Sequence, residues 1–145
     1  MIERSPEVEQ SMRDAFAMMQ RRDIEALMAR TSSQPGVIMI GSDPDEWYAG
    51  RDAIEAMARD ARGGEGAEMP TSTMDEIEGY RDGDLGFANV RGTWMMGGTS
   101  VPFRLTTVVH LEDGEWKAVQ SHASIGVPNS EMMNPMFQAT VTAAS

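Results

Sequence analysis

The sequence predicts an α+β fold in which helices lie on one face of a strongly curved antiparallel sheet. Two hairpin signals predict the sheet. Strand-like segments flank Asp113-Gly114 and again Asp82-Gly83, and each dipeptide tolerates the positive φ angles of a two-residue turn. The helices follow from apolar residues at helical spacing in three segments that precede both hairpins.

Taken in chain order, Ser5-Pro6-Glu7 is a helix start, with serine as the N-cap and proline at the first helical position. Val8, Met12, Ala15, Phe16 and Met19 then form its apolar stripe. Asp23 opens a second helix, Ile24 to about Arg30, with Ile24, Leu27 and Met28 inward. Gly36 precedes Val37-Ile38-Met39-Ile40, a short apolar run that fits a buried strand. The adjacent aromatics Trp47 and Tyr48 point to opposite sides, one core and one exposed. A third helix follows Gly50, carries Ile54, Met57, Ala58 and Ala61 on one stripe, and stops at Gly63-Gly64, with a loop to Pro70.

The first hairpin runs from about Thr71 to Tyr80 and from Leu85 to Met96. Gly86, Ala88, Val90, Gly92 and Trp94 share one face of it, and small residues on a face permit sharp bending or close approach of another element. Gly97-Gly98 then reverses the chain into the second hairpin, Pro102 to Glu112 and Glu115 to Ile125. Counting outward from Asp113-Gly114 pairs Leu111 with Trp116, Val109 with Ala118, Thr107 with Gln120, Leu105 with His122 and Phe103 with Ser124. That alternation puts His122, Gln120, Ser124 and Thr107 on the interior face, with Arg104 on the other. Interior polar groups need partners, water or a ligand, since each left unpaired costs about 1 to 3 kcal/mol.

Composition sets the bounds. A chain of 145 residues suits one domain, with a core of about 5–126 and a tail of 127–145. There is no cysteine, so no disulfide framework or thiol chemistry, and no apolar run approaches the roughly 20 residues of a membrane span. Cytoplasmic localisation is the expectation. The net charge is −11, and residues 43–84 hold 13 of the 23 acids, a surface that repels nucleic acid and anionic lipid. Neither nucleic acid nor membrane is an expected partner. Asp43, Asp45 and Glu46 lack the ligand ladder and closing glutamate of a calcium loop, so neither a metal nor a cofactor is expected. Among the 14 methionines, Met12, Met39, Met57 and Met96 suit either the lining of an apolar pocket or ordinary core filling.

Four features together resemble the nuclear transport factor 2-like superfamily, and within it the SnoaL-like group that includes ketosteroid isomerase relatives. They are Arg22-Asp23-Ile24-Glu25-Ala26-Leu27, Gly50-Arg51-Asp52-Ala53-Ile54, Arg104-Leu105-Thr106, and Asp113-Gly114-Glu115-Trp116-Lys117 leading to His122-Ala123-Ser124. The resemblance spans residues 7–126. It implies a cone-shaped sheet of the cystatin-like roll type, three helices on its concave face, a pocket between the two, and a homodimer through the sheet.

Because this scaffold hosts unrelated chemistries, each must be matched residue by residue. Asp43 falls where the isomerases place a carboxylate base, but their oxyanion tyrosine falls on Ala15 or Phe16 and their aspartate near Thr106 or Thr107. Epoxide hydrolases of this fold use Asp-Arg-Asp, of which Arg104 keeps only the arginine. Dehydratase-like or cyclase-like acid–base chemistry finds a partial set in His122, Ser124, Gln120 and Tyr48. The candidate site is therefore His122 and Asp43 as catalytic groups, with Trp47, Tyr48, Gln120, Ser124 and Thr107 around a small, largely apolar molecule. Plainer readings stand beside it: a core histidine satisfied by Gln120 or backbone, and a turn aspartate before Pro44. Two function classes follow, a cofactor-independent lyase or isomerase and a non-catalytic ligand-binding or homodimerisation module.

Overall fold

Ser5 accepts a hydrogen bond from the Val8 amide at 3.3 Å, and with Pro6 at the first position it starts helix α1, Pro6–Gln20. The computed structural model describes residues 1–60 and 71–132. Val8, Met12 and Phe16 recur at a spacing of four, so α1 buries one stripe against the sheet. Arg22 adopts a left-handed φ of 58° at the turn, and Asp23 caps α2, Ile24–Ala29, by accepting from the Ala26 amide at 3.0 Å. Helix α3, Arg51–Asp60, buries Ile54 and Ala58. The expected end of its stripe at Ala61, the Gly63-Gly64 stop and the loop to Pro70 lie outside the described residues.

Seven strands form one curved, unclosed sheet: β1 (Glu3–Arg4), β2 (Ile38–Ile40), β3 (Trp47–Ala49), β4 (Thr71–Asp82), β5 (Leu85–Met96), β6 (Thr99–Glu112) and β7 (Glu115–Ser124). Their order is β1-β4-β5-β6-β7-β2-β3, with every pair antiparallel except β2 and β7. The two-residue strand β1 and the edge strand β3 are additions to the elements read from sequence. Ile38, Met39 and Ile40 are half-buried rather than fully buried, because β2 lies next to the sheet's edge.

Turn chemistry sets the hairpins. Asp113 (φ 52°) and Gly114 (φ 79°) both take the left-handed backbone of a type I′ turn. In the first hairpin Asp82 still pairs with Leu85, so the turn residues are Gly83 (φ 60°) and Asp84, one position later than the sequence suggested. The small residues of β5 act as expected. A β-carbon on Gly92 would sit 2.5 Å from Phe103 Cζ, and one on Gly79 of β4 would sit 2.8 Å from the Glu9 backbone nitrogen of α1. Bare backbone at these points lets a ring and a helix seat directly on the sheet. A first core joins α1 to Ile77, Ala88, Val90, Phe103, Val109 and Trp116, and a second gathers Met28, Val37 and Ile54 with Tyr48 against them.

The register of β6 with β7 departs from simple alternation. Leu111 faces Trp116 and Val109 faces Ala118 as predicted, but Val108 then faces Gln120, Thr107 faces Ser121 and Thr106 faces His122. Val119 is the extra residue of a β-bulge. One inserted residue exchanges the two faces for the remainder of the strand. Ser121 and Ala123 therefore turn towards the helices, while Gln120, His122 and Ser124 turn away from them. The bulge lies where β7 changes its second neighbour: the Ala118 amide donates to the Arg30 carbonyl at 2.8 Å, and from Gln120 onwards β7 pairs with β2.

Beyond the sheet, Asn129–Met132 forms a short helix, α4, with amides of Glu131 and Met132 bonded to the Pro128 carbonyl. Met132 is exposed, and Met133, Met136 and Phe137, expected to pack with it, lie outside the described residues.

Candidate ligand cavity

Between the helices and the inner face of the sheet lies a cavity of about 170 Å³. Helix α1 contributes Met12, Ala15, Phe16 and Met19, α3 contributes Met57 and Ala58, and the sheet contributes Trp94, Phe103, Leu105 and Trp116. Three of the rings form one stacked wall, with Trp94 and Phe103 centroids 4.5 Å apart and Phe16 and Phe103 centroids 6.0 Å apart. Met12, Met39 and Met57 line it as the sequence suggested, and the side chain of Met96 lies outside the described residues.

The polar groups that reach the cavity are few. Ser11 donates to the Val8 carbonyl at 2.8 Å and Thr31 to the Leu27 carbonyl at 3.0 Å, so both hydroxyl protons are held by their own helices. Arg30 is the one ionisable residue among the described residues of the lining, and its guanidinium pairs with Glu115 at 3.6 Å. What remains is a pair of facing hydroxyls on adjacent strands, Thr107 Oγ1 and Ser121 Oγ, 3.3 Å apart. Thr107 is 3% exposed.

Of the seven residues singled out from sequence, Thr107 alone reaches this cavity. His122 and Gln120, expected on the interior face with Leu105, sit on the outer face because of the bulge, and they line a separate depression of about 220 Å³ with Phe87, Asn89, Thr106 and Val108. Arg104 consequently shares a face with His122 instead of opposing it, and Ser124 lies beside Arg104 there. Asp43 is exposed in the β2–β3 turn, where its carboxylate accepts from the Asp45 amide at 3.0 Å. Trp47 is 65% exposed, and Tyr48 packs into the second core, as expected of adjacent aromatics on a strand. Ser121, Ala118 and Ala123 were missed as lining residues. Their one signal was a phase change, since Trp116 and Ala118 fall on even positions and the small residues Ser121 and Ala123 on odd ones.

One wall of the cavity is tied down by a charged cluster. Ser32, fully buried, donates its hydroxyl to Glu112, which also lies 3.3 Å from His110 Nδ1 and 3.9 Å from Lys117 Nζ. The Ser32 hydrogen bond, aided by His110 and Lys117, holds the Glu112 carboxyl below the ordinary carboxylate range against the opposing effect of burial. The Ser32 amide in turn donates to the Ala118 carbonyl at 2.8 Å, which fixes Arg30 and Thr31 beside β7. Among the described residues, no group of three or more His, Asp or Glu is placed to hold a metal ion, and no helix is long and apolar enough to cross a membrane.

Comparison with known proteins agrees with this architecture. None of the curated proteins matches the sequence. Among solved structures, the chain is similar to a candidate dehydratase of the NTF2-like family from Streptomyces avermitilis, with 17% identity, a TM-score of 0.71, and coverage of 83% of this chain and 94% of that one. An NTF2-like protein of unknown function from Pseudomonas putida is 17% identical with a TM-score of 0.70, covering 84% and 89% of the two chains. A cystatin-like fold protein from Burkholderia xenovorans is 23% identical with a TM-score of 0.62, covering 88% of this chain and all of that one. At these identities the likeness is one of fold. The SnoaL-like domain matches residues 8–128, nearly the whole described structure, and the chain belongs to that family.

Proposed function

We propose that this SnoaL-like protein binds a small, uncharged and mostly apolar molecule between its helices and sheet. The observation that carries the reading is the lining itself. Apolar side chains surround about 170 Å³, and none of the described lining residues is a histidine, carboxylate, lysine or tyrosine able to shuttle a proton at neutral pH. Apolar cavities of about 150 Å³ take up single-ring compounds such as benzene, so a single ring sets the size of the ligand. Binding without acid–base catalysis is thus favoured over isomerase or dehydratase chemistry, and the dehydratase name belongs to the Streptomyces protein.

Trp94 and Trp116 line the cavity and report on it, while Trp47 is exposed and is removed by Trp47→Phe. Titration of that variant with α-methylstyrene is expected to give a saturable change in tryptophan fluorescence. Ala15→Leu projects extra methyl groups into the cavity and is expected to abolish the change. A linear, non-saturable response that Ala15→Leu leaves intact would refute ligand binding at this site.

A second reading, self-association through the outer face of the sheet, rests on the depression around Phe87 and Val108. None of its described lining residues is a carboxylate, so two copies can meet there without burying one against another. Light scattering at micromolar concentration is expected to give a dimer that Phe87→Lys dissociates. A monomeric wild-type protein would remove this reading.

A further inference from the structure

The hydroxyl pair in the cavity says more about the ligand than its size does. Each hydroxyl carries one proton and two lone pairs, so Thr107 and Ser121 together bring two protons and share one hydrogen bond between Oγ1 and Oγ at 3.3 Å. Whichever oxygen donates, one proton remains. No other described group accepts it: Ser11 and Thr31 bond to their own helices, and Arg30 is a donor with no acceptor to offer. Thr107 is 3% exposed and Ser121 half-buried, and both hydroxyls line the apolar cavity. A donor in such a place costs free energy until it meets an acceptor, whereas a hydrocarbon ligand would bury it unmet.

We infer that the ligand is an uncharged single-ring compound carrying a carbonyl oxygen, and that this oxygen accepts a hydrogen bond from the Thr107–Ser121 pair while the ring lies along the Trp94–Phe103–Phe16 wall. The inference rests on the proposal that the cavity binds a small apolar molecule. A carbonyl oxygen supplies the missing acceptor and brings no proton that itself needs a partner. A carboxylate fits less well, because it would have to leave water for an apolar cavity in which Arg30, the one cation among the described lining residues, is already paired with Glu115.

The test compares three compounds of similar size. Acetophenone and α-methylstyrene differ only by oxygen in place of a methylene group, and benzoate carries a charged acceptor. The three are titrated into wild-type protein and into Thr107→Val/Ser121→Ala, the double variant being needed because either hydroxyl alone still has a proton to donate. The double variant is expected to bind acetophenone roughly three- to tenfold more weakly, the worth of one neutral hydrogen bond, with α-methylstyrene unchanged or tighter. Equal changes for both neutral compounds would overturn the inference while leaving apolar binding in place. Failure of both to saturate wild-type protein would instead overturn the binding proposal on which it rests. Benzoate binding more tightly than acetophenone would overturn it in favour of an Arg30 anion site. A measurement on wild-type protein covers the case of a misfolded double variant. The carbonyl carbon of ¹³C-labelled acetophenone is expected to shift downfield on binding relative to its position in alkane solvent, and an unshifted resonance would overturn the inference.

Discussion

Ser32→Ala tests how the cavity wall is held. Ser32 is fully buried, donates its hydroxyl to the Glu112 carboxylate and accepts from the Gln34 amide at 3.0 Å. Hydrogen bonds to charged groups contribute about 1.5 to 3 kcal/mol. The Glu112 side chain is only 11% exposed, so solvent screens the bond weakly, yet Glu112 keeps His110 at 3.3 Å and Lys117 at 3.9 Å when Ser32 is lost. The loss therefore falls in the lower part of that range, about 2 kcal/mol at neutral pH. The pH dependence supplies the check. Because the folded-state pKa of Glu112 is depressed, its contribution is complete above the ordinary carboxylate pKa and disappears as the pH falls through the depressed value. A protonated Glu112 leaves Ser32 only a neutral hydrogen bond, so the difference between variant and wild type is expected to shrink to about 1 kcal/mol or less in acid. Urea unfolding of both proteins at neutral pH and at successively lower pH, down to where the depressed Glu112 carboxyl is protonated, measures this directly, since subtraction cancels the other carboxylates. A difference that stays constant or grows on acidification would refute the assignment of Glu112 as the charged acceptor.

Two further perturbations address the sheet. Gly92→Ala places a β-carbon within clash distance of the Thr73 carbonyl oxygen and 2.5 Å from Phe103 Cζ, and overpacking of this kind costs about 1 to 3 kcal/mol in urea unfolding; wild-type stability would mean that neither β4 nor Phe103 closes on this position. Deletion of Val119 leaves Ala118 and Gln120 consecutive opposite Val109 and Val108, so Gln120 and His122 keep the outer face, but the span of β7 between its contacts with the 30–32 segment and with β2 is one residue shorter, and a loss of about 1 to 2 kcal/mol is expected from the strained hydrogen bonds. A deletion variant as stable as wild type would show that the register shift carries no weight.

Much of this architecture was legible from local chemistry. Ser5-Pro6 and Asp23 act as caps because a side-chain oxygen one position before a helix satisfies amides that the helix itself leaves open. Asp113-Gly114 fixes its turn because both residues tolerate positive φ, and the small residues of β5 mark where Phe103 and α1 come close. Those features, in that order, were enough to identify the SnoaL-like family, and the match over residues 8–128 agrees.

The site was another matter, and the reason is one residue. Period-two counting is correct from Leu111 and Trp116 to Val109 and Ala118, then fails at Val119, because a bulge is favoured by what lies on the far edge of β7 rather than by the residues of the hairpin. That neighbour is the 30–32 segment on one side of the bulge and β2 on the other, both more than 70 residues away in sequence. Tertiary pairing thus moved His122 and Gln120 to the outer face and brought Ser121 opposite Thr107 inside. The amino-acid sequence alone determined the helix caps, the Asp113-Gly114 turn and the order of the helices and long strands, each set by contacts within a few residues. Only the tertiary structure decided which face of β7 the cavity sees, because a shift of one residue inverts a strand and the partner that favours it is distant along the chain.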